Sequence, residues 1–470
     1  MRDFTPISLE ETPRAFRVRS GTWAFLLSRA SGLLEQATVH DDPWLAAPLP
    51  DLWASGAVDP RGDAYHARYS PSTTTQVVSV RCEEVVLRSE GCLARVDGTV
   101  VPLRWELEYS FAPDGTVTVA VTVRATGRMA LRWLSLGRVE ADPGSCRFLV
   151  HEGDAGSSAS SCRPTCHLLN GGGYEAAGRF IPWVHFGNDC GGVDLVFPHS
   201  DRGGWSWTDS SPYSTGDPLG RAGDRMLVQA SGGRAWCEAF AIRNLYQPVE
   251  AGWEYRDTLY LSAVPGKETD PRGNDVRVWW LGPHQYRSGW LPPGEEEVAR
   301  WAALGANTVI GGVNWRSGDY RHPENPAETA RFIDLCHRYG MRVLPYLTFT
   351  DLEYGASAFS THGAAWRIEP VAEFNYRSQL MCYGAEGWQE HWQCEVAAAW
   401  EAFPFDGLYI DFWASRLGCR NPRHGCDGPY GRFNAAGLRR MAQFAAGLVR
   451  QRDGLIVANC NILPLAMLNN

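Results

Sequence analysis

Hydrophobic and polar positions change their period once along the chain, near residue 265. Before that point, short runs rich in Val, Tyr, Trp and Thr alternate with period two: Val77 to Val86, Arg104 to Phe111, Val117 to Val123 and Trp236 to Ile242. These residue types suit a pleated, half-buried surface. Turn signals at Asp97-Gly98 and Pro113-Asp114-Gly115 separate the runs. Helical periodicity is nearly absent, so residues 1–265 are predicted to form a large antiparallel β-sandwich. Gly171-Gly172-Gly173 and segment 206–220 read as loops. With no strand before it and no helix after it, the triple glycine is a poor phosphate cradle.

Residues 266–275, rich in Gly, Lys, Glu, Asp and Asn, read as a linker. Beyond them, short apolar strands alternate with amphipathic helices, the pattern of a parallel sheet. Strands are predicted at 276–281, 307–313, 342–347, 408–411 and 455–459, and helices at 294–304, 326–339, 388–400 and 435–450. Loops after the strands are long and polar, whereas those before them are short. That asymmetry favours a (β/α) TIM-type barrel over 276–470, with its chemistry above the carboxyl ends of the strands. About five units are visible where a closed barrel needs eight, so the barrel is expected to be truncated, its last three units missing.

Composition narrows the function classes. A length of 470 residues predicts two or more domains, and 44% hydrophobic with 21% charged residues is ordinary for a globular protein. The net charge of -9 and the lack of a Lys/Arg run disfavour nucleic acid as a partner. No apolar run approaches the ~20 residues of a membrane span. The start, Met1-Arg2-Asp3-Phe4, has no basic segment leading into an apolar one. As written the chain is therefore expected in the cytoplasm with reduced thiols; an incomplete N-terminus would instead allow a secreted or periplasmic protein. The 20 Trp are the outlier, most of them expected in the core and a few as stacking surfaces for sugars.

Candidate chemistry gathers at the predicted strand ends. Phe405-Asp406-Gly407-Leu408-Tyr409-Ile410-Asp411-Phe412-Trp413 is an apolar strand that ends on a carboxylate beside aromatics. Tyr409 and Asp411 share one face. Asp411 is the candidate nucleophile or oxocarbenium stabiliser of a glycosidase, the alternative being a structural Asp paired with an Arg such as Arg416. Asp406, at the opposite end, is expected to organise a turn. Glycoside cleavage needs a second carboxyl group, for which Asp351 and Glu353 are candidates, although loop carboxylates are commonly just solvated. His284, Asn314, Trp315, Trp413, Arg416, Asn459 and Asn461 complete a polar, aromatic-walled bowl. In it Trp315 and Trp413 would stack on a sugar while Asn314 and Asn459 bond its hydroxyls. No cofactor is expected. Cys382, Cys419, His424 and Cys426 are a set zinc accepts, but their spacing matches no zinc-finger pattern, and a disulfide or buried thiols is the alternative.

Several segments resemble a group of bacterial glycoside-hydrolase-like proteins related in organisation to glycoside hydrolase family 123. They are Met381-Cys382, Trp388, the run 405–411, and Cys419, Asn421 and His424-Gly425-Cys426. Trp183 to Asn188, Gly203-Gly204-Trp205 and Thr258 to Pro265 resemble the end of that group's β-sandwich. Gly340 to Tyr346 resembles its third barrel strand. The resemblance implies a β-supersandwich followed by a catalytic barrel acting on glycans. Family 123 uses an adjacent Asp-Glu pair with substrate assistance, whereas Asp411 is followed by Phe412, so that mechanism is not implied here. An Asp at the fourth strand also resembles the nucleophile of retaining α-galactosidase-type barrels, whose acid comes from a later strand. The leading expectation is a glycoside hydrolase with a carbohydrate substrate; the alternative is a non-catalytic carbohydrate-binding protein with a vestigial barrel.

Overall fold

The computed structural model describes residues 5–45, 48–57, 60, 62–141, 147–152, 163–168, 177–178, 183–188, 191–196, 205–207, 226–231, 234–264, 275–281, 292–312, 315–369, 371, 373–375, 377–411, 419, 421–426 and 435–458. The triple glycine at 171–173, segment 208–220 and linker positions 266–274 lie outside them.

Among the described residues the N-terminal part is β apart from turns and one 3-10 turn, Ala67–Tyr69. Ser8–Glu11, Ala15–Ser20, Trp23–Ser28, Leu34–Val39 and Asp42–Pro43 form a five-stranded antiparallel sheet in sequence order. It faces a larger sheet in which Glu84–Ala94, Val100–Phe111, Thr116–Ala125 and Glu254–Val264 pair antiparallel. Alternation explains the packing. In Val100–Phe111 the residues Trp105, Leu107, Tyr109 and Phe111 are buried, while Glu106 and Glu108 turn outward to Arg124 and Arg88. Across the interior Phe25 meets Phe111 at 5.9 Å, and the Tyr109 hydroxyl donates to the Gly32 carbonyl at 2.8 Å. Gly98 (φ 85°) and Gly115 (φ 82°) supply the left-handed turns. The run expected as one strand over Val77 to Val86 is a hairpin, Thr74–Arg81 with Glu84–Ala94, turning at Cys82-Glu83. Period-two alternation passes through a two-residue turn unchanged, so the pattern alone does not reveal it.

Among the described residues of the C-terminal part five short strands run parallel, each beside its predecessor in sequence. Val278–Trp280, Thr308–Ile310 and Arg342–Leu344 form one set, and Tyr346–Thr348, Gly407–Asp411 and Leu455–Ala458 the other. Pro345, lacking an N–H, separates the two sets within one continuous strand. Its carbonyl accepts the Tyr409 amide at 3.1 Å, and the Leu344 carbonyl accepts that of Gly311 at 2.8 Å. Helices Glu295–Ala303, Pro326–Arg338, Glu386–Ala402 and Ala435–Arg450 connect the strands. In the parallel sheet and its helices, predicted and observed ends differ by at most three residues. Asn325 caps the second helix, its side chain accepting the Glu328 amide at 3.3 Å ahead of Pro326. Gly407 opens the fourth strand because a Cβ there would stand 2.0 Å from the Leu455 carbonyl oxygen. The outward Leu347, Leu408 and Ile410 are buried beneath the helices.

Two excursions leave the carboxyl ends of the strands. A hairpin of Arg316–Ser317 and Asp319–Pro323 follows the second strand. After the third come Asp351–Glu353, helix Phe359–Trp366, Glu373–Asn375 and Ser378–Leu380. Sandwich and parallel sheet share one hydrophobic core, and a buried ion pair between Arg439 and Asp114, at 2.5 Å, joins them. Among the described residues no helix is long and apolar enough to cross a membrane.

Candidate active site at the carboxyl ends of the strands

Register decides which side chains meet. Parallel partners Tyr346–Tyr409 and Thr348–Asp411 point to one face of the sheet, the face opposite Leu347, Leu408 and Ile410. Asp411 is the last residue of its strand and is 4% exposed. Its Oδ2 accepts the Tyr346 hydroxyl at 2.5 Å. The Tyr346 and Tyr409 rings lie 5.5 Å apart beneath it.

Thr348 is the hub of the neighbouring network. Its hydroxyl donates to Asp351 Oδ1, and its amide donates to the Tyr320 hydroxyl at 3.0 Å. Arg316 lies over the Tyr320 ring, 4.0 Å from its centroid, and pairs with Glu353 at 3.1 Å. Arg377 reaches the second Glu353 oxygen at 3.3 Å. Burial pushes the Glu353 carboxyl up against the opposing pull of Arg316 and Arg377. Burial also raises the Tyr320 phenol, which therefore stays neutral. Burial alone would lower the Arg316 guanidinium, but the Glu353 and Asp351 carboxylates pull the other way and hold the charge.

Three indoles brace the strand that carries Tyr346. Trp315 Nε1 donates to the Tyr346 carbonyl at 3.0 Å, Trp392 Nε1 to that of Thr348 at 2.8 Å, and Trp388 Nε1 to that of Phe349 at 3.1 Å. Trp388 and Trp392 are one helical turn apart, so both point at the same strand end. Trp315, expected to stack on a sugar, is instead 2% exposed, with its edge against Phe405 at 5.6 Å. A buried indole whose N–H is already satisfied offers no open face, so this tryptophan packs the core.

Of the sequence-derived residues, Asp411 lies at the strand end, and Asp351 and Glu353 stand together on the first excursion strand after Thr348. Glu353 is engaged by two guanidiniums, which makes it an anchor for the excursion. Asp406 accepts the Val343 amide at 2.7 Å and faces His337 Nε2 at 2.8 Å at the opposite end of the strands. A cleft lined by His337, Arg342, Phe405, Asp406 and Arg452 opens at that end, remote from Asp411. His284, Asn314, Trp413, Arg416, Asn459 and Asn461 lie outside the described residues. Tyr346, Tyr320 and Thr348 were not singled out from the sequence. The signal for Tyr346 was available: parallel register puts it on the Asp411 face.

Cys382, Cys419, His424 and Cys426 also come together, with their ligand atoms all within 4.8 Å of one another. Cys382 follows the last excursion strand, and the other three follow Asp411 in sequence.

No protein-family model matches the sequence, and no curated protein matches it. Solved structures do. A GH36 α-galactosidase AgaA variant from Geobacillus stearothermophilus, in complex with stachyose, is 12% identical with a TM-score of 0.48, over 97% of this chain and 74% of that one. An α-galactosidase from Lactobacillus brevis is 9% identical with a TM-score of 0.44, over 97% and 69%. The α-N-acetylgalactosaminidase NagBb from Bifidobacterium bifidum is 11% identical with a TM-score of 0.37, over 94% and 76%. Similarity at this level assigns neither a family nor an activity to the present chain.

Proposed function

We propose that this chain is a glycoside hydrolase acting on a glycan or oligosaccharide, with a β-sandwich over 1–265 and a (β/α) catalytic barrel over 276–470. Asp411 is its nucleophile or oxocarbenium stabiliser. The observation that supports this most is the buried Asp411 carboxylate at a parallel strand end, with Oδ2 held by the Tyr346 hydroxyl. An anion fixed in orientation and withdrawn from bulk water is what a developing cationic anomeric centre needs. Asp351 is the better candidate for the second carboxyl role, because Glu353 is engaged by Arg316 and Arg377. Trp413, two residues beyond Asp411, is the proposed stacking surface.

Asp411→Asn is expected to abolish turnover across a panel of aryl glycosides while the fold is retained. Azide should restore turnover to Asp411→Ala by taking the nucleophile's place, releasing a glycosyl azide. Unchanged hydrolysis in Asp411→Asn removes the assignment. Oligosaccharide binding with no hydrolysis by the unaltered chain would favour a carbohydrate-binding protein instead.

A further inference from the structure

We propose that Cys382, Cys419, His424 and Cys426 form a closed structural zinc site, independent of whichever reaction Asp411 serves. The distances fit a tetrahedron. Zinc holds thiolates at about 2.3 Å and imidazole nitrogen at about 2.0–2.1 Å, which sets S···S edges near 3.8 Å and S···N edges near 3.5 Å. Cys382 and Cys426 Sγ atoms are 3.7 Å apart, and His424 Nδ1 lies 3.2 Å from Cys426 Sγ. Cys419 Sγ completes the group, all ligand atoms lying within 4.8 Å of each other. An ion at their centre would draw in the wider edges, which reach at most 4.8 Å, by rotation of the side chains. A disulfide fits less well: it requires about 2.05 Å between two sulfurs, and with three thiols it strands one of them.

The surroundings are those of ligands rather than of idle thiols. The Gly384 amide donates to Cys382 Sγ and the Asn421 amide to Cys419 Sγ, each at 3.3 Å and each from two residues downstream. Such amides stabilise thiolate charge. His424 Nδ1 faces Cys426 Sγ at 3.2 Å, and Nε2 lies 3.4 Å from the Arg367 carbonyl and 3.9 Å from Cys419 Sγ; a metal on Nδ1 would leave the Nε2 proton to that carbonyl. That is the outer hydrogen bond a metal-bound histidine commonly makes. Asn421 Nδ2 donates to the same carbonyl at 3.0 Å. Gly425, at φ 70°, allows the tight return from His424 to Cys426. The three cysteines are buried. Four protein ligands leave no open position, so the ion would be structural.

Binding is balanced by proton release: Zn²⁺ displaces the protons of three thiols, and the neutral imidazole coordinates through Nδ1. The ion would tie the segment after Asp411, which reaches Cys419 eight positions on, to the excursion that ends at Cys382. It would thereby fix the chain at Cys419, eight positions beyond the candidate catalytic strand end.

The test uses the full chain purified without chelator. About one zinc per chain is expected by elemental analysis. Cys382, Cys419 and Cys426 should resist alkylation until a strong chelator removes the ion. Cobalt exchanged for zinc should give the visible d–d bands of a tetrahedral site and thiolate-to-cobalt charge transfer. Cys419→Ser should lose the metal. His424→Cys should keep it and strengthen the charge-transfer band, which separates ligand loss from misfolding. Substoichiometric metal with all three thiols freely alkylated, or a mass two units low from a Cys382–Cys426 disulfide, overturns the proposal.

Discussion

The buried pair between Asp114 and Arg439 gives a quantitative handle on how the sandwich and the parallel sheet depend on each other. Arg439 belongs to the helix between the strand of Asp411 and the last parallel strand, and Asp114 to a sandwich turn. Their side chains are 7% and 5% exposed, with Nη2 2.5 Å from Oδ2. With charge centres about 4 Å apart and an effective dielectric of about 20, the attraction is about 4 kcal/mol. Each single change is expected to cost about 3–5 kcal/mol, as removal of one member of a buried pair commonly does. Asp114→Asn is the cleaner perturbation, because its amide oxygen can still accept the Thr116 amide, now bonded to Oδ1 at 3.0 Å. Arg439→Met keeps most of the apolar stem. Urea unfolding followed by tryptophan fluorescence should show both single variants destabilised, and the double variant less so than their sum, with a coupling of about 2–3 kcal/mol. Single effects that add to within about 0.5 kcal/mol would show that the pair does not couple the two parts.

Two further outcomes are expected. Gly407→Ala puts a Cβ 2.0 Å from the Leu455 carbonyl oxygen, so it should destabilise by more than about 3 kcal/mol, whereas Gly355→Ala, with open space around it, should be silent; equal melting temperatures would refute this. Glu238 is fully buried, with Oε1 accepting Ser135 Oγ at 2.7 Å and the Trp53 indole, and Oε2 has no hydrogen-bond partner among the described residues. Burial pushes this carboxyl up, against the pull of Ser135, Arg138 and Trp53. A raised folded pKa gives stability that is complete below the unfolded pKa and lost as pH rises through the folded one. Glu238→Gln should therefore gain on the unaltered protein as pH increases, and a pH-independent difference between the two would contradict the assignment.

By itself the sequence determined the change from β to alternating β/α, nearly all the helices and strands of the parallel sheet, and the strand-end position of Asp411. Those features are local: period-two and period-3.6 burial, Asn325-Pro326 at a helix start, and Asp406-Gly407 at a strand start leave their mark within a few residues. Tertiary structure decided the rest, because it depends on which distant residues pair. That Tyr346 serves Asp411 follows from register across two strands separated by more than sixty residues. That Trp315 packs the core instead of facing a sugar follows from the Tyr346 carbonyl and Phe405 closing over it. Spacing alone left Cys382, Cys419, His424 and Cys426 between a metal site and idle thiols, since the excursion that returns Cys382 to the others is folded by contacts no periodicity records. Side-chain chemistry is written locally; the geometry that makes a site of it is written in long-range packing.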